Sequence, residues 1–448
     1  RSVIMKRAFL TTLGCKVNQF ETAAFRNQLE SNGIQVISEL ESADLIIVNT
    51  CTVTAKAGAE SRREVKKMLR KNLQARVVVT GCHAQLAAEE LRQLDSLDPG
   101  RLTVADNEAK GLLVESIIDG RREGLEHHFE TAGKNMQISG LQVDRFKGRT
   151  RAYLRVQDGC DSFCSYCIVP YARGRSRSLP VDQVISQAAA YEKGGHREIV
   201  VTGIHIGRYG LDLSENCHIA ELLLLLSSRF PTVRFRLSSI EPLEIDDRLL
   251  TIMADAENIM PHLHIPLQSG DDSVLAKMNR RYTSRQFKAV VEKCCTTLSD
   301  AAIGFDVMVG FPGETEAMFE NTRALIDSLD CTYLHVFPYS RRAGTAAADF
   351  TQQIDSSTKR KRAGILRRLS DKKSRAFYDR FINARRMVLL ESGPASIASG
   401  GPLKGFTDNY IPVVVERPPT LPAEPVMAEL IEPCGASVRA RIIQKNDW

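Results

Sequence analysis

The sequence predicts an α/β protein of three successive units: a doubly wound parallel sheet, a partial (β/α)6 barrel and a small all-β barrel. Short apolar runs alternate with amphipathic stretches over most of the chain, and a polar stretch over residues 131–150 divides this alternation in two. After residue 385 the pattern changes to short β-type runs between Gly- and Pro-rich turns. At roughly 100 to 200 residues per domain, the 448 residues accommodate several units with cores of their own.

The first unit, residues 5–130, contains three apolar runs that we expect to be buried parallel strands. The runs are residues 8–14, 44–50 and 76–81, with helices predicted over 19–31, 57–71 and 86–94. Cys15, Cys51 and Cys82 each follow one of these strands. Because parallel strands end at one edge of a sheet, three thiolates can converge there and hold a cluster. Three buried cysteines without a ligand role are the alternative.

The second unit, residues 146–375, repeats a strand–helix alternation at roughly 30- to 40-residue intervals, which is typical of a (β/α) barrel. Strands are predicted over 153–159, 197–204, 234–240, 262–268, 303–311 and 333–340, and helices over segments such as 181–193 and 219–228. In such barrels the chemistry lies at the carboxyl ends of the strands.

The third unit, residues 380–448, is predicted to be all-β, and a long basic helix is expected before it, from residue 356 to about 386. The short β-type runs are residues 387–392, 410–416, 426–432 and 437–443. Residues 359–386 hold twelve Lys and Arg against two Asp, a net charge of +10. The whole chain carries only +6, so the other 420 residues carry −4.

This concentrated charge favours a surface that follows nucleic-acid phosphates, although a solvated helix face is the simpler reading. The aromatic residues Phe406 and Tyr410 in the third unit support the nucleic-acid interpretation. The candidate RNA-binding residues are Arg367, Arg368, Lys372, Lys373, Arg385, Arg386 and Lys404.

Composition and targeting signals indicate an ordinary globular protein in the cytoplasm. Hydrophobic residues make up 43% and charged residues 25%, which excludes a disordered or collagen-like chain. The sequence shows no signal-peptide pattern and no apolar run long enough to span a membrane. The eleven cysteines are therefore expected to be free thiols or metal ligands. Cys217, Cys294, Cys295, Cys331 and Cys434 have no ligand spacing, and His262 and His264 are expected to be core or hydrogen-bonding residues.

The strongest motif is the CxxxCxxC spacing of Cys160, Cys164 and Cys167, just after the first strand of the second unit. Three thiolates on one loop can hold three irons of a 4Fe-4S cluster and leave the fourth iron open. A structural zinc site is the alternative, but it takes four ligands, and no partner pair of cysteines follows nearby.

This motif, with Tyr166 before its last cysteine, resembles that of the radical S-adenosylmethionine (radical SAM) superfamily. The resemblance implies that the open iron binds S-adenosylmethionine, whose reductive cleavage releases a 5′-deoxyadenosyl radical. VTGIHIG (201–207), LSSIEP (237–242) and PLQSG (266–270) resemble cofactor-binding motifs of that superfamily. The cofactor-binding residues so implied are Tyr166, Gly203, Ser239, Glu241 and Gln268, with Asp306 and Phe337 on the last two strands. Each could instead cap a helix or satisfy a loop.

TLGCKVNQFET (12–22), NTCTVT (49–54) and VTGCHAQ (79–85) resemble the three cysteine motifs of the methylthiotransferase family, as do HIPLQSGDDSVLAKMNRRYT (264–283) and VGFPGETE (309–316). This resemblance covers essentially the whole chain, and it likens the third unit to the RNA-binding TRAM domain. It implies a second 4Fe-4S cluster on Cys15, Cys51 and Cys82. The form GCKVNQFET most resembles the members that act on N6-threonylcarbamoyladenosine in tRNA. His83 departs from the aromatic residue expected after the third cysteine.

The resemblance implies radical insertion of a methylthio group at carbon 2 of that nucleoside, next to the anticodon, with two S-adenosylmethionine molecules. Asn18 would orient sulfur or substrate, unless it caps the following helix. The implied partners are the tRNA anticodon stem-loop and a flavodoxin- or ferredoxin-type reductant, with the protein as a monomer and the sulfur source undetermined. The same chemistry on isopentenyladenosine tRNA or on a ribosomal protein stays open. So does a two-cluster electron carrier or RNA-binding regulator without catalysis.

Overall fold

The computed structural model describes residues 5–94, 100–121, 125, 138–214, 217–391, 401–418, 422 and 424–443. It confirms the predicted fold class: a parallel five-stranded sheet is followed by a partial barrel of six parallel strands and a closed five-stranded β-barrel. Within the described residues, no helix is both long and apolar enough to cross a bilayer.

The N-terminal unit is an open parallel sheet with strand order β2-β1-β3-β4-β5. Its elements are β1 (Arg7–Thr12), α1 (Lys16–Ser31), β2 (Gln35–Ile37), β3 (Leu45–Thr50), α2 (Ala55–Lys71), β4 (Arg76–Gly81), α3 (Cys82–Leu86), α4 (Ala88–Arg92), β5 (Leu102–Val104) and α5 (Leu113–Ile118). The three predicted strands are confirmed, and the short edge strands β2 and β5 were not predicted. The helix predicted over 86–94 is wrong in extent, because two short helices, α3 and α4, occupy residues 82–92.

The central unit has six parallel strands in the order β6-β9-β10-β11-β12-β13. Its elements are β6 (Arg151–Arg155), β7 (Gln157–Asp158), α6 (Val169–Arg173), β8 (Arg177–Ser178), α7 (Val181–Lys193), β9 (Glu198–Thr202), α8 (Ile219–Arg229), β10 (Arg234–Leu237), α9 (Asp247–Asp255), β11 (His262–Gln268), α10 (Asp272–Lys277), α11 (Ser284–Thr297), β12 (Ala302–Val309), α12 (Glu316–Ser328), β13 (Tyr333–Pro338) and α13 (Ser356–Asp379). Two three-stranded sheets form the barrel, and parallel bridges Phe235–Ile259 and Ser239–His264 join them. The barrel is therefore open between β6 and β13.

The N-terminal unit covers this open side. Helix α1 packs on β6, where the Arg155 guanidinium lies 4.9 Å from the centre of the Phe20 ring. On the far side, the Ala55 backbone N–H donates to the Ser340 hydroxyl at 3.1 Å, beyond the end of β13. The carboxyl edge of the first sheet thus faces the open barrel.

The C-terminal unit is a closed barrel with strand order β14-β15-β16-β18-β17. Its strands are β14 (Arg385–Leu390), β15 (Leu403–Thr407), β16 (Pro412–Val415), β17 (Val426–Cys434) and β18 (Ser437–Ile442). The helix predicted to about residue 386 ends earlier, at Asp379. Asn383 then turns the chain with a φ of 67°, and Arg385 and Arg386 begin β14.

Candidate active site

Three cysteines lie together at the carboxyl edge of the N-terminal sheet. Cys51 and Cys82 directly follow β3 and β4, and Cys15 follows β1 after a short turn. That turn brings Gly14, at a φ of 101°, beside Cys51, so that an added Cβ would lie 2.8 Å from the Cys51 Sγ atom. Burial, together with the nearby Cys82 and Cys15 thiols, raises the pKa of Cys51 to about 11. Cys15 is exposed while the other two are buried, so the trio is open on one side.

The second trio, Cys160, Cys164 and Cys167, lies on the loop between β7 and α6. Phe163 takes a left-handed φ of 46°, and Asn279 supports this turn by donating Nδ2 to the Phe163 carbonyl at 3.0 Å. Burial raises the pKa of the Cys167 thiol to about 12, and the Cys164 and Cys160 thiols contribute to that rise.

The sulfur atoms of the two trios are not as close together as a site for a single metal ion would require. Among the described residues, neither trio has all three of its Sγ atoms within 4.8 Å of one another. The ligand atoms of His264, Asp306 and His335 do lie that close together. A mononuclear zinc site holds its thiolates about 2.3 Å from the metal and so brings them closer together. An iron-sulfur cluster accepts thiolates that lie farther apart, because each thiolate binds a different iron.

Two cationic side chains that the sequence analysis did not single out contact the second trio. His205 Nδ1 lies 3.4 Å from the Cys160 Sγ atom, and its Nε2 lies 2.6 Å from Glu244. Burial lowers the pKa of His205, but the contacts with Cys160 and Glu244 outweigh it and raise the pKa to about 10. Arg280 donates to the Cys164 Sγ atom at 3.4 Å. His205 lies in the motif VTGIHIG, and Arg280 lies in the motif HIPLQSGDDSVLAKMNRRYT. These motifs are the sequence signal from which both residues could have been identified.

A cavity of about 440 Å³ opens beside Cys164, a volume in the range of small-molecule sites. Glu241 and Tyr282 line it, and Glu241 pairs with the Arg280 guanidinium. Glu241 is thus the predicted cofactor-binding residue that the structure brings beside the cysteine loop in this cavity.

The other predicted cofactor-binding residues lie on the cysteine loop or on and just beyond the barrel strands: Tyr166, Gly203, Ser239, Gln268, Asp306 and Phe337. At Gly203 an added Cβ would lie 2.8 Å from Gln157 Oε1, which accepts from two backbone N–H groups of the next turn. Asp306 is held by two histidines, with Oδ1 2.9 Å from His264 Nε2 and 3.4 Å from His335 Nδ1. Asp306 therefore belongs to a polar group inside the barrel.

A buried ionic network joins the two cysteine sites. Arg173, at the end of α6, donates to Asn18 Oδ1 at 2.6 Å, to Glu21 Oε1 at 3.0 Å and to Asp158 Oδ1 at 3.0 Å. Lys110 Nζ lies 2.6 Å from Glu21 on its other side. Burial alone would raise the pKa of Glu21, but the charges of Arg173 and Lys110 outweigh it and lower the pKa to about 2. One guanidinium thus connects the helix after Cys15 to the strand before Cys160.

Asn18 does not cap helix α1, because Cys15 occupies the N-cap position without a side-chain bond. Its Nδ2 donates to the Leu13 carbonyl at 2.8 Å and to the Thr50 carbonyl at 3.0 Å. Asn18 therefore ties the Cys15 turn to the end of β3. His83, next to the third cysteine, is buried with its Nδ1 3.2 Å from the Thr52 hydroxyl.

The candidate RNA-binding residues differ in their exposure and in their contacts with the protein. Arg367, Arg368, Lys372, Arg385 and Lys404 are exposed. Lys373 donates to the Asp327 and Leu329 carbonyls at 2.8 and 2.5 Å. Arg386 pairs with Asp300 at 2.6 Å and with Asp408 at 2.9 Å, so its guanidinium anchors β14.

The aromatic pair expected at an RNA surface faces the central barrel instead. The rings of Phe406 and Tyr410 stack at 4.8 Å, and the Arg151 guanidinium lies 4.6 Å from the centre of the Phe406 ring. Tyr410 also packs against His262 with ring centres 4.3 Å apart. These rings therefore seal the contact between the two barrels.

Known families match both cysteine-bearing units. Residues 7–98 match the uncharacterized protein family UPF0004, and residues 154–326 match the radical SAM superfamily. Radical SAM methyltransferase TsrM from Kitasatospora setae, solved with tryptophan and a cofactor analog, has the same fold with a TM-score of 0.53. It is 16% identical, and the match covers 74% of this chain and 73% of that one.

Relatives match nearly the full length. A threonylcarbamoyladenosine tRNA methylthiotransferase MtaB of Bacillus subtilis is 37% identical over 90% of this chain and 89% of its own. The protein of the same name in Rickettsia prowazekii is 33% identical, and the match covers 93% of this chain and 94% of its own length. A tRNA-2-methylthio-N(6)-dimethylallyladenosine synthase of Agrobacterium fabrum is 32% identical, and the match covers 86% of this chain and 87% of its own length. The chain therefore belongs to the radical S-adenosylmethionine methylthiotransferase family, whose cofactors are 4Fe-4S clusters and S-adenosylmethionine.

Proposed function

We propose that this enzyme inserts a methylthio group at carbon 2 of N6-threonylcarbamoyladenosine, next to the anticodon of tRNA. The B. subtilis and R. prowazekii relatives carry this nucleoside in their names, and the B. subtilis protein is more similar to this chain than the dimethylallyladenosine synthase of A. fabrum. The motif GCKVNQFET supports the same substrate. Isopentenyladenosine tRNA is the alternative substrate.

The observation that carries this proposal is the pair of three-cysteine sites, joined by one buried guanidinium. We propose that Cys160, Cys164 and Cys167 hold one 4Fe-4S cluster and that Cys15, Cys51 and Cys82 hold a second. Three thiolates leave one iron of each cluster open, which supplies a place for S-adenosylmethionine at the first and for exchangeable sulfur at the second.

The chain's own residues would position these groups. His205 and Arg280, beside Cys160 and Cys164, stabilise thiolate charge by hydrogen bonding. Glu241 lines the cavity beside Cys164 and has a carboxylate suited to the methionyl amino group. Asn18 holds the Cys15 turn, and so orients what binds there.

The exposed cations of α13 and β14 would hold the anticodon stem-loop through its phosphates. In this proposal the units are residues 5–130, 146–375 and 380–448, and the protein acts as a cytoplasmic monomer. A flavodoxin- or ferredoxin-type protein supplies electrons.

Mass spectrometry of tRNA nucleosides from a deletion strain tests the substrate. Loss of the methylthio group from threonylcarbamoyladenosine, with its methylthio-free form accumulating, is the expected result. Complementation with C51S should fail, and complementation with C434S, an exposed cysteine in the third unit, should restore the modification. Persistence of the methylthio group in the deletion strain would refute the assignment, and its loss from isopentenyladenosine alone would favour the alternative substrate.

A further inference from the structure

The outward face of helix α2, in the N-terminal unit, is strongly basic. Residues 55–71 hold seven Lys and Arg against two Glu, a net charge of +5. The whole chain carries +6 and residues 359–386 carry +10, so the remaining 403 residues carry −9. Positive charge is therefore concentrated in two segments, each largely helical, of an otherwise acidic protein.

The cations of α2 lie side by side on its surface. Arg62, Lys66 and Arg70 are spaced four residues apart, so they form one row along the helix. Arg63 and Lys67 lie beside this row, and the five side chains line one surface hollow of about 390 Å³. Because like charges four residues apart repel each other, the row does not serve the stability of the helix itself.

Neighbouring carboxylates neutralise this row only in part. Three of its cations form ion pairs that solvent reaches: Arg62 with Glu90 at 3.1 Å, Arg63 with Glu60 at 3.8 Å and Lys67 with Glu64 at 2.9 Å. Exposed pairs of this kind are weak and exchange readily for other anions. Within the part of the chain that the structure describes, Lys66 and Arg70 are exposed and form no ion pair or hydrogen bond.

Helices α2 and α13 begin next to each other, at the end of β13. The Ala55 backbone N–H, at the start of α2, donates to the Ser340 hydroxyl at 3.1 Å. Lys359 Nζ, in the first turn of α13, donates to the Tyr339 carbonyl at 3.1 Å. The two basic helices thus start at adjacent residues of one segment, beside the open side of the central barrel.

This segment after β13 adds two more cations to the same place. Arg341 is exposed, and the Arg342 guanidinium donates to the Thr52 hydroxyl in the short loop between Cys51 and α2. Cationic side chains therefore continue from α2 to α13 along the edge of the second cysteine site.

We propose that the outward face of α2 binds phosphates of the tRNA and extends the RNA surface of α13; the inference rests on the proposed function. The target nucleoside must enter between the carboxyl edge of the first sheet and the open barrel, because both cysteine sites lie there. An RNA strand that leaves this opening past the end of β13 meets the starts of both basic helices. Cations about 6 Å apart along a helix axis suit the regular phosphates of such a strand.

An acidic redox protein is the other class of partner that a basic face can bind. Electrons are needed at the first cysteine site, where S-adenosylmethionine is cleaved. Helix α2 instead follows Cys51 of the second site, so its position favours RNA over a reductant.

The salt dependence of tRNA binding tests this proposal. Anaerobic fluorescence anisotropy gives the Kd of reconstituted enzyme for tRNA from the deletion strain between about 50 and 200 mM salt. Each phosphate contact contributes about 0.7 to 0.9 to the slope of log Kd against log salt concentration, so K66Q/R70Q should lower the slope by about 1.4 to 1.8. K66R/R70K retains both charges and should keep the wild-type slope.

The matched control is K193Q/R229Q, which removes two exposed cations from the last turns of α7 and α8 and so changes the net charge equally. Its slope should equal that of the wild type. An unchanged slope for K66Q/R70Q would overturn the proposal. An equal decrease in the control would also overturn it, because net charge alone would then explain the effect.

A reductant-binding surface predicts a different pattern. K66Q/R70Q would then bind tRNA as the wild type does, but would form 5′-deoxyadenosine more slowly with a flavodoxin-type protein and at the wild-type rate with dithionite. This result too would overturn the proposal. Failure of the proposed function is a separate result: the wild-type enzyme would then leave threonylcarbamoyladenosine in the same tRNA unmodified.

Discussion

Replacing Arg173 should damage both the stability of the fold and the coupling of its two cysteine sites. The side chain is almost completely buried and donates to Asn18, Glu21 and Asp158. Removing one partner of a buried ion pair costs about 3 to 5 kcal/mol, because it leaves an uncompensated charge. In R173M, however, Glu21 keeps Lys110 at 2.6 Å, and Asp158 keeps more distant arginines. We therefore expect a loss at the lower end, about 3 kcal/mol.

R173K separates charge from geometry. A lysine keeps the cation, but its compact ammonium cannot reach all three acceptors that the planar guanidinium spans. One lost charge-assisted hydrogen bond costs about 1.5 to 3 kcal/mol, so this variant should fold with reduced stability. Because Arg173 connects the helix after Cys15 with the strand before Cys160, we expect R173K to cleave S-adenosylmethionine and to form less product per cleavage.

Urea denaturation, monitored by circular dichroism, measures the loss of stability. The ratio of 5′-deoxyadenosine to methylthiolated nucleoside measures the loss of coupling between the two cysteine sites. R323M is the matched control, since Arg323 pairs with Glu320 on the exposed face of α12, and its urea midpoint should equal that of the wild type. An unchanged midpoint for R173M would refute the stability argument. A wild-type product ratio for R173K would refute the proposed coupling.

Three other measurements follow from the structure. The buried network lowers the pKa of Glu21 from 4.5 to about 2, so the stabilisation from its carboxylate is present above about pH 4.5 and is lost, by about 3 kcal/mol, as the pH falls towards 2. The acid unfolding of E21Q should lack this pH-dependent loss of stability. An acid transition in E21Q that equals that of the wild type would contradict the network. C51S should lower the iron content of reconstituted protein from about eight to about four atoms and abolish sulfur insertion while 5′-deoxyadenosine still forms; full iron content in C51S would exclude the second cluster. R367Q and R368Q should each weaken tRNA binding and reduce the slope of log Kd against log salt concentration by about one. An unchanged slope would mean that these two arginines do not contact the RNA phosphates.

The parallel strands and the cysteine loops were predictable because local pattern determines them. Strand β3 is six buried residues, and its end fixes where Cys51 must lie. Strand β15 was missed because Lys404 and Gly405 interrupt the apolar alternation. Barrel closure requires that glycine, since an added Cβ would lie 2.6 Å from the Leu389 carbonyl oxygen.

Interactions between distant parts of the chain were beyond the sequence pattern. Arg173 and Glu21 are 152 residues apart, and neither stands out locally from other surface-type charges. The end of α13 was also misplaced, because the run of basic residues continues beyond the helix while Asn383 turns the chain towards the barrel. Arg386 looks like an RNA contact in the sequence, yet Asp300 and Asp408 hold it.

The central claim is methylthio insertion into threonylcarbamoyladenosine of tRNA. Its most direct test is an anaerobic reaction of the reconstituted enzyme with S-adenosylmethionine, a reductant, sulfide and tRNA from the deletion strain, followed by mass spectrometry of the nucleosides. The account predicts that threonylcarbamoyladenosine is converted to its 2-methylthio form while isopentenyladenosine in the same tRNA pool is unchanged. An unmodified threonylcarbamoyladenosine peak, beside 5′-deoxyadenosine formed in the same reaction, would contradict it.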